Sequence, residues 1–284
     1  MNDPLPSGQR IFDADGSRWV WAGETTDLWS EESAWHDGDD HDPPPIDYDA
    51  IPTHAELEAG MATGPTVSLV DEPHAIALPD VYEPGYSYPL LVWFHDQGGS
   101  EENVFEVLPL ISERNYLALS IRGNIPMGDQ QAAWSVAETG AESLLDKVEE
   151  AVERMADQFS IHRERVYLAG VGSGGTTALE LLLQRPEAFA GAACLGGEFP
   201  QLAHPLAKFR GLRGRRVLLA TSLDCPNVKI TDLVNSGRLL YSAGVQVGTR
   251  IYQQPGGVPT PKMLRDLDAW LMDGIASAVR VSAR

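Results

Sequence analysis

The segment RVYLAGVGSGGTTALELLLQR, residues 165–185, constrains the chain more than any other. Arg165 to Ala169 is a short apolar run suited to a strand. The turn Gly170-Val171-Gly172-Ser173-Gly174-Gly175 follows, and then Thr176 to Arg185 has helical spacing. A buried strand that turns through glycines into a helix is the core step of a parallel sheet covered by helices. The surrounding chain repeats this alternation. Pro89 to Phe94 and Tyr116 to Ile121 read as strands with a helix over 101–113 between them. Ala141 to Phe159 places Leu144, Leu145, Val148, Val152, Met155 and Phe159 on one helical face, with Glu150 and Arg154 spaced to pair on the other. Further strands are expected near 190–195, 216–220 and 245–252, and a final amphipathic helix carries Leu264, Leu267, Leu271 and Ile275. The expected fold class is therefore α/β, with a mostly parallel central sheet and helices on both faces.

Charge divides the chain. Residues 1–60 hold fifteen Asp or Glu against only Arg10 and Arg18, so about two-thirds of the net charge of −20 is N-terminal. Residues 10–21 suggest a small hairpin around an Asp15-Gly16 turn, with Trp19 and Trp21 set to pack on the main domain or on a partner. The acidic, proline-bearing stretch over 29–52 reads as a solvated linker, and His36 and His41 within it have no rigid element to make them a metal site. We expect an acidic arm over 1–62 and an α/β domain over 63–284. The acidity argues against nucleic-acid binding and leaves a protein partner for the arm as an expectation. No apolar run approaches the roughly 18 residues of a membrane span. The N-terminus has neither a basic nor an apolar signal region, and a cytoplasmic location is expected. Cys194 and Cys225 have no metal-like spacing and are expected to be buried apolar residues. No metal or cofactor is expected.

Gly170 to Gly175 supports two readings. As G-x-G-x-x-G it would bind a dinucleotide in an oxidoreductase, but two strong strands precede it and the acid expected about 20 residues on is only the displaced Glu198. The other reading draws on more of the chain. Tyr88-Pro89 leading a strand, His95-Asp96-Gln97-Gly98-Gly99-Ser100, and LAGVGSGGTTALELLLQRPEAFAG together resemble α/β-hydrolases of the carboxylesterase, phospholipase and polyhydroxybutyrate-depolymerase-like group, over roughly residues 65–280. The resemblance implies an α/β-hydrolase fold, an oxyanion loop at His95 to Gly99, and a nucleophile elbow at Gly170 to Gly175.

The same resemblance implies that the catalytic positions are degenerate. The elbow glycines fall on Gly170, Gly174 and Gly175, so the serine position holds Gly172, with Ser173 one residue later. The acid position after the late strand falls on Cys225, and a one-residue gap would recover Asp224. The base position before the last helix falls on Gly257. The seven histidines end at His204, so none follows the acid loop wherever gaps are placed. Ser173 is expected to serve as a hydrogen-bonding residue at a helix start, and His95 to be structural. Asp96 adds a carboxylate where an oxyanion would need donors. The expected function is a catalytically inactive α/β-hydrolase that binds a ligand or a protein. Its pocket would contain His95, Asp96, Gln97, Gly98, Gly99, Ser173 and Gly174. Free N–H groups at the helix start would face a small ester-like or anionic ligand. The alternative is an active carboxylic-ester hydrolase with a rearranged site built from Ser173, Asp224 and His95. The third is the dinucleotide-binding oxidoreductase.

Overall fold

A computed structural model describes residues 10–12, 19–21, 74–128, 131–135, 141–253 and 259–282. The chain divides into two units, Met1–Gly64 and Pro65–Arg284. In the first, β1 (Arg10–Phe12) pairs antiparallel with β2 (Trp19–Trp21), Ile11 opposite Val20. The Asp15-Gly16 turn, the packing of Trp19 and Trp21, and the acidic linker lie outside what is described.

The second unit is built on a seven-stranded sheet. Its strands are β3 (His74–Ala77), β4 (Tyr88–Phe94), β5 (Leu117–Ile121), β8 (Ile161–Val171), β9 (Gly191–Leu195), β10 (Arg216–Ser222) and β11 (Gln246–Tyr252). A small hairpin, β6 (Ile125–Gly128) with β7 (Gln131–Ala133), lies outside it. The sheet order is β11-β10-β9-β8-β4-β5-β3, and only the β3–β5 pair is antiparallel. The helices are α1 (Asn103–Ile111), α2 (Ala141–Gln158), α3 (Ser173–Gln184), the short α4 (Phe209–Leu212), α5 (Ile230–Ser242) and α6 (Pro261–Ser282).

The alternation of side chains along a strand explains why the central strands are apolar throughout. In β4, Leu90, Val92 and Phe94 enter one core with α2, α3 and α5, while Leu91 and Trp93 enter a second core with α1 and α6. Helices therefore cover both faces, as the unbroken apolar runs require. Five elements were not foreseen: β3, β6, β7, the four-residue α4 and α5. Strand β3 is four residues long, hairpin β6–β7 is largely exposed, and α5 buries only Leu233, Gly237 and Leu240 of its thirteen residues. Each carries too short or too narrow an apolar pattern to stand out in one dimension.

Strands β4 and β8 are neighbours, yet β4 leads on to β5 on one side and β8 to β9 on the other. At such a switch point the two loops diverge and leave a crevice beyond the strand ends, where ligands of open α/β sheets bind. The loop 95–100 and the turn 170–175 meet there.

Candidate functional site

The 95–100 loop is anchored by His95, which has no solvent-exposed surface. Its Nε2 accepts from the Gly123 N–H at 3.0 Å, so Nδ1 carries the proton and donates to the Asp96 carbonyl at 2.7 Å. Its own carbonyl accepts from the indole of Trp134 at 2.8 Å, and the two rings lie 5.0 Å apart. Burial lowers the imidazole pKa, with the bond to the Asp96 carbonyl acting in the opposite direction. Both ring nitrogens are committed to backbone, which leaves no lone pair to take a proton from Ser173. Beside it, Arg122 makes a bidentate pair with the buried Glu101, its Nε at 2.7 Å from Oε2.

The turn after β8 has the strained geometry that its glycines allow. Gly172 adopts φ 53°, ψ −121° and is the cap of α3, with its N–H donating to the Leu195 carbonyl at 2.9 Å. A Cβ on Gly174 would strike the Phe94 and His95 carbonyls, so glycine is what lets the first turn of α3 lie against the end of β4. The helix begins at Ser173, three residues before its expected start.

Asp96 occupies the space above Gly172. A Cβ on Gly172 would collide with Cγ, Oδ1 and Oδ2 of Asp96, all well inside the 3.0 Å that side chains respect. Asp96 Oδ1 accepts from the N–H of Gln97 at 2.8 Å, the N–H of Ser173 at 3.0 Å and the hydroxyl of Ser173 at 3.3 Å. The two N–H groups lie at the positions to which the sequence resemblance assigns the oxyanion donors. A resident carboxylate oxygen sits there instead. The expectation of free N–H groups at this helix start therefore fails at Ser173, because the donor is taken from within the chain. The Ser173 hydroxyl does not cap its own helix as expected; it bonds to Asp96, and Gly172 holds the cap position.

The remaining sequence candidates are not brought to Ser173. Asp224 is exposed, and among the described residues the Ser173 hydroxyl bonds neither to it nor to His95. Cys225 is half-buried, with its thiol 3.9 Å from the Gly196 carbonyl, while Cys194 is fully buried and its pKa is pushed up to about 12 by desolvation. Gly257 lies outside the described residues. Gly98 takes a positive φ of 79°, and Gly99 packs on His95, where a Cβ would approach its Cβ to 3.1 Å.

Above these residues opens a cleft of about 710 Å³. Its described lining includes Asp96, Gln97, Trp134, Ser173, Glu180 and Glu198, and contains no Lys, Arg or His. Burial raises the pKa of Glu180, partly offset by a hydrogen bond from Gln184. An adjoining chamber of about 180 Å³ shares Gly197, Glu198, Gln201 and Asn227 with it. Trp134 and Glu180 were not singled out in the sequence, since neither belongs to a motif and only folding brings them to the crevice. Among the described residues no group of three or more His, Cys, Asp or Glu is placed to hold a metal ion. No helix among them is long and apolar enough to cross a membrane. The glycine turn follows the fourth strand of the main sheet in chain order, where a dinucleotide fold would use its first.

Known proteins share the fold. Residues 71–203 match the Esterase family model, a span that contains the 95–100 loop and the 170–175 turn but ends before Asp224, Cys225 and Gly257. No curated protein matches the chain. Among solved structures, a Bacillus cereus carboxylesterase superposes with a TM-score of 0.58 at 19% identity, over 73% of this chain and 96% of its own. A phospholipase/carboxylesterase from Dyadobacter fermentans gives 0.56 at 14%, covering 71% and 97%. SOBER1 of Arabidopsis thaliana gives 0.57 at 16%, covering 66% and 100%. The chain has the α/β-hydrolase fold.

Proposed function

We propose that this α/β-hydrolase is a non-hydrolytic member of its superfamily, a binding module that uses the inherited cleft without cleaving what it holds. The observation that carries this reading is the Asp96 carboxylate above Gly172, bonded to the N–H groups of Gln97 and Ser173. A serine at position 172 would have no room, and an oxyanion would meet a negative charge where it needs donors. His95, with both ring nitrogens bound to backbone, supports the same reading. We also propose that residues 1–62, which carry fifteen Asp or Glu against two Arg, bind a protein partner.

A second reading, an active carboxylic-ester hydrolase working through Ser173, is favoured by the Esterase match over 71–203 and by the contact of the Ser173 hydroxyl with the Asp96 carboxylate. In it Asp224 and His95 would have to move to the serine. A fluorophosphonate probe separates the two. The non-hydrolytic reading expects no adduct and no turnover of p-nitrophenyl butyrate. Labelling at Ser173 that is abolished by Ser173→Ala would overturn it.

A further inference from the structure

The charge of the cleft is inverted relative to an oxyanion site, and the inversion is built into backbone geometry. Three donors converge on Asp96 Oδ1, which holds the carboxylate rigidly. Among the described residues Oδ2 accepts no hydrogen bond. The exposed Asp96 lines the 710 Å³ cleft, with Glu180 and Glu198 on the described lining and no cationic side chain there to balance them. Glu180 is half-buried and has a neutral partner in Gln184. The indole of Trp134 also lines the cleft and offers the kind of surface to which ammonium groups are attracted. The adjoining chamber is lined by Leu179, Leu219, Val228 and Leu233, together with the oppositely charged Lys229 and Asp232.

Resting on the non-hydrolytic reading, we propose that Asp96 is the specificity-determining residue of this cleft, seating the ammonium head of a small alkylamine whose apolar stem enters the adjoining chamber. The ammonium donates to Asp96 Oδ2, and its charge is compensated by Glu180 and Glu198. A carboxylate of the same length is rejected, because the two N–H groups that would receive it are already bonded to Asp96. The sequence alone suggested an anionic or ester-like ligand. The side chain of Asp96 reverses that preference by filling the anion position.

Hexylammonium and hexanoate differ in the sign of the head group and share the stem, which makes them the probes of choice. Titrations of the full chain, followed by nuclear magnetic resonance at low ionic strength, should show hexylammonium binding at least about tenfold more tightly than hexanoate. Asp96→Asn keeps the shape and removes the charge, and it should weaken hexylammonium by about tenfold. Asp96→Ala removes the carboxylate and frees the N–H groups of Gln97 and Ser173, so hexanoate should bind this variant more tightly than it binds the unaltered chain. Equal or tighter binding of hexanoate to the unaltered chain would overturn the proposal, as would unchanged hexylammonium affinity in both variants. Hydrolysis of p-nitrophenyl butyrate, followed on the same samples, reports on the non-hydrolytic reading separately. Turnover would refute that reading, while amine selectivity is decided by the titrations.

Discussion

Placing a serine at position 172 tests the site through stability as well as activity. In Gly172→Ser the new Cβ must adopt a positive φ, which costs about 1–2 kcal/mol for an L-residue. It must also displace the Asp96 carboxylate from three hydrogen bonds, which costs a further 1–2 kcal/mol or so for an exposed, charge-assisted cluster. The expected destabilisation is about 2–4 kcal/mol, a drop in Tm on the order of 5–15 °C for a unit of this size. Asp96→Ala alone loses the hydrogen bonds but creates no clash, at about 1–2 kcal/mol. The double variant retains the backbone strain and has no carboxylate to displace. Its cost should therefore fall below the sum of the single costs by about 1–2 kcal/mol, a coupling within reach of a double-mutant cycle in urea. Additivity within about 0.5 kcal/mol would refute the idea that Asp96 and Gly172 compete for one space. On the non-hydrolytic reading, Gly172→Ser should show no turnover of p-nitrophenyl butyrate.

Other consequences are open to simpler measurements. His95 is held neutral, with its pKa depressed below the ordinary 6.5, so its contribution to stability is complete above that value and fades as the pH falls below it. His95→Ala should cost about 2–4 kcal/mol at pH 7.5, and the gap to the unaltered chain should narrow towards pH 5, whereas a constant or widening gap in urea melts would contradict the assignment. Iodoacetamide at pH 8 should modify Cys225 and spare Cys194 in the folded protein, as mapped by mass spectrometry, and prior labelling of Cys194 would contradict its burial. Arg122→Ala strands the buried Glu101 and should cost about 3 kcal/mol, while Glu101→Ala combined with Arg122→Ala should cost no more than the single change. A larger loss in the double variant would show that packing, rather than the orphaned charge, dominates.

Much of the fold was legible because its signals are local. The apolar runs at 89–94, 116–121 and 190–195 fall within a residue or two of β4, β5 and β9, since a strand buried on both faces has no polar position to hide in. Strand β8 runs well beyond the expected 165–169, to Ile161–Val171, because Ile161 to Arg165 are less buried and carry no apolar pattern. The helix at 101–113 shortened to Asn103–Ile111. The wider site was harder to read: Trp134, Glu180 and Glu198 come from three separate segments and share no spacing.

A linear reading is enough to decide what the chain lacks and where it bends. Gly170, Gly174 and Gly175 are required wherever backbone crowds backbone, and the absence of any histidine after His204 is a property of the string that no folding can alter. Only the tertiary structure could decide what fills the space above Gly172. Asp96 and Ser173 are 77 residues apart, joined because β4 and β8 are adjacent parallel strands whose ends deliver both loops to one crevice. Hydrogen-bond donors converging from two such loops create a seat for one oxygen. Which oxygen takes it depends on side-chain reach in three dimensions, and here it belongs to the protein itself.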